Sequence, residues 1–262
     1  MNTSKTITFI GAGNLATSLA IALHAKDCNI AQVFSRTKQA AHTLAQQIDA
    51  EPCTDLAQIA EHDGLYIYAV KDDALESVID AVKVQSGLHA HTSGSLPMSV
   101  FAGKRTNYGV FYPFQTFTKE KPTDFTEIPI FVDANKPQNI DLLTQTGKSV
   151  SQNVYHLEDE GRKYLHLAGV FANNFSNSLY IMAAEILEAK HLPFEVLLPL
   201  IAESTAKLRT LPPTMAQTGP AARSDYQTIE RQQQLLASRP DLLEVYNLLT
   251  NNIITQQKQR NR

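Results

Sequence analysis

The sequence predicts an α/β protein in which a doubly wound parallel sheet is followed by an all-helical region. Two observations indicate this. Up to residue 157, short apolar runs rich in β-branched residues alternate with runs whose apolar residues recur at helical spacing. From residue 158 onward, only long amphipathic segments follow. We therefore expect two domains, comprising residues 1–157 and 158–262.

The predicted elements follow one another in the order that such a sheet requires. The run over 64–70 is nearly all apolar, which is typical of a central parallel strand that is buried on both faces. Prolines predict the ends of two long helices, at Pro193 and at Pro212. Strands are expected over 6–10, 29–35, 64–70, from 88, 108–117, 128–132 and 152–157, and helices up to 26 and over 37–48, 55–61, 72–82, 137–150, 158–192, 194–211, 226–237 and 241–256.

The first predicted strand ends in a glycine-rich turn, Gly11-Ala12-Gly13-Asn14-Leu15-Ala16, that leads directly into a helix. In this setting Gly11 permits the tight turn, Gly13 lets a pyrophosphate approach the backbone, and Ala16 lets the helix pack closely on the strand. The free N–H groups at the start of that helix then face the phosphates. The pattern predicts a Rossmann-type dinucleotide-binding domain; the alternative is an ordinary glycine turn between a strand and a helix.

The end of the second predicted strand indicates which dinucleotide is bound. Enzymes that prefer NAD usually place an acidic residue here to hold the ribose 2′-hydroxyl. This chain has Ser35, Arg36 and Thr37 instead. The missing carboxylate removes repulsion toward a 2′-phosphate, and the guanidinium and two hydroxyls offer donors to it. We therefore predict NADP as the cofactor; the alternative is that Arg36 is an ordinary exposed arginine in a loop.

Polar residues also follow the next two predicted parallel strands. In the run Lys71-Asp72-Asp73, either aspartate can cap the helix that follows. Thr92, Ser93 and Gly94 stand at the edge where ligands lie in open α/β sheets. They are placed to donate hydrogen bonds to a nicotinamide or a substrate oxygen, with Ser93 a candidate catalytic residue; the alternative is a serine-capped turn. The predicted cofactor-binding residues are Gly11, Ala12, Gly13, Asn14, Leu15, Ser35, Arg36, Thr37, Ala69, Val70, Lys71 and Thr92.

Composition and charge exclude several functional classes. The net charge of −3 gives no electrostatic footprint for nucleic acid. The two cysteines, Cys28 and Cys53, form neither a metal-ligand spacing nor a disulfide framework, so no metal is expected. No apolar run approaches the length of a membrane span, and the first strand leaves no room for a signal peptide. We expect a cytoplasmic protein without nucleic-acid or membrane partners.

The first long helix carries a polar stripe. At about 100° per residue, His166, Gly169, Asn173 and Asn177 span roughly 80° of the helix surface. Histidine transfers protons near neutral pH, and an asparagine amide can orient a carbonyl. We predict that His166 donates a proton, that Asn173 positions substrate or nicotinamide, and that Gly169 leaves a gap for a ligand. The alternative is a helix contact in which both polar side chains satisfy buried backbone groups.

A polar loop over 217–225 supplies further candidates. Pro220 suits the first turn of a helix, so the loop is expected to present N–H groups and Arg223 to an anion. The alternative is a surface pair between Arg223 and Asp225 or a neighbouring acid. Gln115, a polar residue within the aromatic strand over 108–117 that needs a partner if it is buried, is a third candidate. Gln115, Arg223 and Asp225 are the predicted substrate-binding residues.

With these motifs identified, the chain resembles two-domain proteins provisionally named NADP oxidoreductases. Their Rossmann domain is similar to those of deazaflavin-dependent NADP reductases and pyrroline-5-carboxylate reductase. The resemblance implies a helical domain that forms a homodimer and completes the active site, and it implies no established substrate. Because pyrroline-5-carboxylate reductase has a Pro-Gly-rich substrate loop in a similar place, it implies that Arg223 binds a substrate carboxylate across the dimer. The matching motifs are Gly11 to Ala16, Ser35 to Thr37, Ala69 to Asp73, His91 to Gly94, Tyr112 to Phe117 and Thr218 to Asp225.

One departure limits what the resemblance implies about the reaction. Related β-hydroxyacid dehydrogenases use a lysine four residues before an asparagine on the first long helix. Here Asn173 would need that lysine at the position of Gly169. We therefore predict an NADP-dependent oxidoreductase that transfers hydride between NADP(H) and a small carbonyl or imine compound. The alternative is a non-catalytic protein that senses NADP(H) or docks a partner.

Overall fold

The computed structural model describes residues 6–119 and 123–260. The predicted fold class is confirmed, because the described strands form one eight-stranded sheet in the order β3-β2-β1-β4-β5-β6-β7-β8. All neighbouring strands run parallel except β6 and β7, which are antiparallel. The strands are β1 (Ile7–Ile10), β2 (Ile30–Phe34), β3 (Glu51–Cys53), β4 (Leu65–Tyr68), β5 (Leu88–His91), β6 (Tyr108–Pro113), β7 (Ile130–Ala134) and β8 (Val154–His156).

Helices cover both faces of the sheet, and β4 contributes to the core on each face. Leu65 and Ile67 belong to the cluster that includes the apolar side chains of α1, α2 and α4. Tyr66 and Tyr68 belong to the cluster formed with α3 and Phe101. This alternation explains the continuous apolar run, because neither face of the strand meets water. The helices are α1 (Asn14–His24), α2 (Lys38–Gln47), α3 (Asp72–Ala81), α4 (Pro137–Val150) and α5 (Asp159–Gly169), with 3₁₀ turns at Leu56–Gln58 and Met98–Phe101.

The helical region that follows consists of helices of 4 to 21 residues. A π-helical turn, Val170–Phe175, interrupts the first of the two long helices that the sequence predicted, and the second begins as a 3₁₀ turn, Phe194–Leu197. No described helix is both long and apolar enough to cross a membrane. The helices are α6 (Ser176–Glu188), α7 (Leu198–Lys207), α8 (Pro213–Ala216), α9 (Tyr226–Leu235) and α10 (Pro240–Arg260).

Contacts divide the chain into two compact units, one ending at Phe171 and the other beginning at Ala172. The sheet unit therefore includes α5, whose Arg162 side chain is fully buried. The expected domain division between residues 157 and 158 stays a prediction, since a compact unit and a domain are not defined in the same way.

Two local expectations were wrong, and one strand was missed. The strand β3 was not predicted, because three residues that include a proline carry no periodic signal. Proline is tolerated there because β3 lies at the edge of the sheet. The helix expected over 55–61 is only a 3₁₀ turn. The aspartates expected to cap α3 lie instead in its first turn: Lys71 is the N-cap residue, and no side chain caps the helix. Asp72 and Asp73 still interact favourably with the positive end of the helix.

Candidate active site

A cavity of about 580 Å³ lies at the carboxyl ends of β1, β2 and β4. The glycine-rich turn forms its floor, the loop after β2 one wall, and the start of α3 the other. α1 begins at Asn14 without a side-chain cap, so the N–H groups of its first turn can bind phosphate. The lining residues are Gly11, Ala12, Gly13, Phe34, Ser35, Arg36, Thr37, Ala69, Val70, Lys71, Asp73, Ala74, Ser77 and Val78.

The two glycines of the turn are required for different reasons. Gly11 has a φ of +124°, and a Cβ there would lie 2.3 Å from the carbonyl oxygen of Ala69. The fold itself therefore demands glycine at this position. Gly13 has an ordinary φ of −76°, and a Cβ there would meet no protein atom within 4 Å. The open space above Gly13 fits the close approach of a dinucleotide pyrophosphate, because none of the described residues occupies it.

The loop after β2 supplies the polar wall of the cavity. Ser35 is half-buried, and its hydroxyl accepts a weak hydrogen bond of 3.4 Å from the Thr37 amide. Arg36 and Thr37 are exposed and line the cavity. This is where the adenosine ribose lies in a Rossmann domain, so the guanidinium and the two hydroxyls suit a 2′-phosphate.

Three of the predicted cofactor-binding residues do not line this cavity. The Asn14 amide donates a hydrogen bond of 2.9 Å to the Phe117 carbonyl oxygen. Leu15 packs half-buried against the core. The Thr92 hydroxyl donates to the Tyr68 carbonyl oxygen at 3.3 Å. These side chains hold the turn, the strand and the loops together, whereas the other nine predicted residues all line the cavity.

The loop after β5 is a tight turn built on the Ser93 side chain. The Ser93 hydroxyl is nearly buried and accepts hydrogen bonds from the amides of Ser95 and Leu96, at 3.2 and 3.0 Å. The Ser95 hydroxyl donates to the Asp72 carboxylate at the start of α3. This geometry matches the alternative of a serine-capped turn. We therefore give Ser93 no part in the proposed chemistry.

A buried arginine, which the sequence did not single out, attaches α5 to this loop. Arg162 donates from Nε to the Ser93 carbonyl oxygen at 3.2 Å and from Nη2 to the Leu96 carbonyl oxygen at 2.5 Å. Nη2 also pairs with Asp159 at 2.7 Å, and the Asp159 carboxylate accepts a hydrogen bond from the Met98 amide. A fully buried guanidinium is tolerated because it has these partners. The only sequence signal was an acid and a base three residues apart at the start of a predicted helix.

His166 lies one helical turn after Arg162, on the same face of α5. Its Nδ1 is 3.0 Å from the hydroxyl of Tyr112, at the end of β6. A Cβ on Gly94 would lie 2.6 Å from that hydroxyl and 2.7 Å from Nδ1. Glycine at position 94 therefore allows the tyrosine and the histidine to meet. The structure thus brings His166, the histidine of the predicted polar stripe, against the end of β6 and the loop after β5.

The rest of that stripe is not continuous in the structure. A Cβ on Gly169 would lie 2.8 Å from the ring of Phe114, so the expected gap is filled and that expectation was wrong. Asn173 is exposed and lies within the π-helical turn, in the other compact unit from His166. A π turn winds through a smaller angle per residue than an α-helix, so the stripe counted at α-helical spacing does not hold beyond Gly169.

The predicted substrate-binding residues lie in two separate places. Gln115 is exposed, and its side chain accepts a hydrogen bond from the Thr116 amide at 2.9 Å. Asp225 is the N-cap of α9 and accepts a hydrogen bond from the Thr228 amide at 3.1 Å. Hydrogen bonds from Thr228 lower the pKa of the Asp225 carboxyl. Arg223 is exposed in the same unit as Asp225.

The expectation that Pro220 begins a helix was wrong. The helix begins at Tyr226, and residues 219–224 form successive turns. The amides of Arg223, Ser224 and Asp225 donate to carbonyl oxygens within the loop. These three N–H groups have partners within the loop, and the Arg223 side chain is the exposed cation that the loop can offer to an anion.

Comparisons with known proteins agree with the cavity. Residues 6–92 match the family described as coenzyme-F420-dependent NADP oxidoreductase, and residues 128–253 match a domain of unknown function, DUF2520. No curated protein matches the chain significantly.

Solved structures resemble the chain over nearly its whole length. A provisionally named NADP oxidoreductase from Bacteroides fragilis is 44% identical, with a TM-score of 0.88 over 96% of this chain and 98% of that one. A protein from Thermotoga maritima is 19% identical, with a TM-score of 0.75 over 98% and 100% of the two chains. An imine reductase from Myxococcus stipitatus in complex with NADP⁺ is 16% identical, with a TM-score of 0.70 over 97% and 94%. The latter two likenesses concern the fold alone.

Replacing the two glycines separates stability from binding. Gly13→Ala should leave the free energy of unfolding within about 1 kcal/mol of the wild type, because its Cβ meets no protein atom. It should weaken NADPH binding at least about tenfold, because the methyl group enters the space for the pyrophosphate. Gly11→Ala is the contrast: it should lower the free energy of unfolding by about 2 kcal/mol or more. Calorimetric titration and chemical denaturation measure both. Unchanged NADPH affinity in Gly13→Ala would remove the pyrophosphate from this turn.

Arg36 should set the preference for NADPH over NADH. Losing a charge-assisted hydrogen bond costs about 1.5–3 kcal/mol, so Arg36→Ala should weaken NADPH binding roughly ten- to a hundredfold and leave NADH binding nearly unchanged. Fluorescence titration with both nucleotides measures this. Arg209→Ala, which removes an exposed arginine of the helical unit, is the control and should change neither affinity. If Arg36→Ala still prefers NADPH over NADH as strongly as the wild type, Arg36 does not set the preference.

Proposed function

Because this chain belongs to the NADP oxidoreductases that join a coenzyme-F420-dependent type of NADP oxidoreductase domain to DUF2520, we propose that it reduces a small carbonyl or imine compound. The chain is thus an NADP-dependent enzyme rather than a sensor of the nucleotide. The observation that carries the proposal is the meeting of Tyr112 and His166 at the carboxyl ends of β5 and β6. These ends adjoin β4, whose own carboxyl end borders the nucleotide cavity.

The residues of the cavity suit each part of NADP. The turn at Gly13 and the start of α1 would hold the pyrophosphate, and Ser35, Arg36 and Thr37 would hold the 2′-phosphate. Bound NADPH supplies the hydride that the substrate carbon accepts. The protein's own task is then to orient the substrate and to deliver one proton to its oxygen or nitrogen.

His166 is the proposed proton donor. Its side chain is exposed, so it can exchange protons with water between turnovers. The Tyr112 hydroxyl holds one ring nitrogen and leaves the other free for the substrate. As the substrate carbon gains hydride, the imidazolium gives its proton to the substrate heteroatom and becomes neutral. Asn173, proposed to orient the substrate or the nicotinamide, is tested in the same assay.

The substrate class is kept to small carbonyl and imine compounds. A structural neighbour from Myxococcus stipitatus is an imine reductase, so the substrate panel includes cyclic imines. Since that likeness concerns the fold alone, the panel includes small keto acids and aldehydes as well. A substrate carboxylate would find a partner in Arg223, which is exposed in the helical unit.

We also propose that the helical unit forms a homodimer. Among its described residues, 172–260, only Ala221, Ile229, Leu242 and Thr250 are buried. A unit of this size cannot bury enough apolar surface to be stable with so small a core, and a second copy of the same helices would cover the rest. The large apolar side chains that are exposed in this unit include Leu179, Ile181, Ile186, Val196, Leu198, Leu200, Leu208, Leu211, Met215, Leu235, Leu248 and Leu249.

Turnover tests the role of His166. The wild type should oxidise NADPH with at least one member of a panel of small keto acids, aldehydes and cyclic imines. His166→Gln should then lower kcat about a hundredfold, since general acid catalysis contributes about that much, while the NADPH Kd stays unchanged. Asn173→Ala is measured alongside, and His24→Gln, which changes an exposed histidine at the end of α1, is the matched control. A His166→Gln enzyme within a few-fold of wild-type kcat would remove His166 from the mechanism.

Sedimentation velocity tests the homodimer. The wild type should sediment as a dimer at micromolar concentration. Leu200→Glu should weaken dimerisation at least about tenfold, because the carboxylate would lose its water without gaining a partner. Gln39→Glu adds the same charge on α2 of the sheet unit and is the control. A wild type that stays monomeric at all concentrations would contradict the proposed homodimer.

If a carboxylate substrate is found, Arg223→Ala should raise the KM for that substrate and leave the KM for a neutral substrate unchanged.

A further inference from the structure

We infer that Tyr112 is a positioning residue for His166 and decides which imidazole nitrogen carries the transferred proton. The inference rests on the proposed role of His166 and deepens it. The Tyr112 hydroxyl lies 3.0 Å from His166 Nδ1, which leaves Nε2 as the nitrogen that can reach a substrate.

The tyrosine is held firmly enough to act as a fixed partner. Tyr112 lies within β6, where its backbone is paired with Phe131 of β7. Its side chain is only 8% exposed. The ring meets the edge of Phe114, with centroids 5.9 Å apart and planes inclined by 61°. A side chain with this support keeps its hydroxyl in one place.

The histidine is fixed from the other side. Arg162 attaches α5 to the Ser93 and Leu96 carbonyl oxygens one turn earlier. Gly94 then meets the Tyr112 hydroxyl and His166 Nδ1 so closely that a Cβ would lie within 2.7 Å of each. Neither the helix nor the ring has room to rotate toward this loop. We therefore expect the hydrogen bond at Nδ1 to form in both protonation states of the imidazole.

A hydroxyl is the partner that suits both of those states. When His166 is protonated, Nδ1–H donates to the phenol oxygen; when it is neutral, the phenol O–H donates to Nδ1. Burial raises the pKa of Tyr112 to about 12, and the charge of Asp72 adds to this rise while that of Arg162 opposes it. The phenol consequently stays neutral near physiological pH and does not trap the imidazolium as a phenolate would.

The proton balance follows from this arrangement. Imidazolium Nε2–H gives its proton to the oxygen or nitrogen of the substrate as the neighbouring carbon accepts hydride. The ring that remains is neutral, with its proton at Nδ1, and a proton taken up from water at Nε2 restores the imidazolium for the next turnover. When the imidazolium instead loses its Nδ1 proton to water, the resulting neutral ring is the Nε2–H tautomer, with the phenol O–H donating to Nδ1.

Nitrogen NMR of the full-length protein tests the inference without any substrate. The His166 signals are assigned by their loss in His166→Gln. At a pH where the ring is neutral, the wild type should show the Nε2–H tautomer almost alone, and Tyr112→Phe should show a mixture of both. Tyr108→Phe removes a hydroxyl from the same strand and is the control, which should match the wild type. A wild-type Nδ1–H tautomer, or the same tautomer ratio in wild type and Tyr112→Phe, would overturn the inference.

Kinetics adds a second readout that a merely structural role would not give. Losing one hydrogen bond that matters for proton transfer should lower kcat about tenfold in Tyr112→Phe, with KM and thermal midpoint nearly unchanged. A rise in KM with unchanged kcat would contradict positioning of the proton donor. If Tyr112 sets the tautomer and yet no substrate of the panel is reduced, the inference about the imidazole stands and the proposed function fails. The two failures are therefore distinguishable.

Discussion

The buried guanidinium of Arg162 is the interaction on which the candidate site depends. It joins the first turns of α5 to the loop after β5 through the carbonyl oxygens of Ser93 and Leu96, and it pairs with the Asp159 carboxylate within α5 itself. Together with the hydrogen bonds from the Met98 amide to the Asp159 carboxylate, it holds the start of α5 against the connection between β5 and β6, one turn before His166. Because an unpaired buried charge costs several kcal/mol, the loop and the helix are constrained to keep this arrangement. Order in the site thus comes from an ion pair outside the reacting groups.

The nucleotide half of the site could be predicted because its residues are neighbours in sequence. Gly11, Gly13 and Arg36 each act where a strand ends, and the direction of the chain alone brings those ends together. Backbone geometry demands glycine at position 11, whereas a Cβ at position 13 would enter open space, so only a bound ligand would require glycine there.

The substrate half could not be predicted in the same way. Arg162 meets Ser93 across 69 residues and His166 meets Tyr112 across 54, and no local pattern marks either pair. The polar stripe on the long helix failed beyond Gly169 because a π turn changes the helical period, which periodic counting assumes to be constant. Short elements such as β3 were not predicted for a related reason, since three residues define no period at all.

The antiparallel pairing of β7 with β6 has a consequence for the direction of α5. Since β8 follows the direction of β7, its last residue leaves the sheet at the edge opposite to the ends of β5 and β6. The eleven residues of α5, about 16 Å long, then run back along the sheet toward those ends. Had β7 run parallel to β6, the same helix would set out from the carboxyl edge and carry its histidine away from it. The single reversal of strand direction between β6 and β7 thus makes α5 run toward the carboxyl ends of β5 and β6.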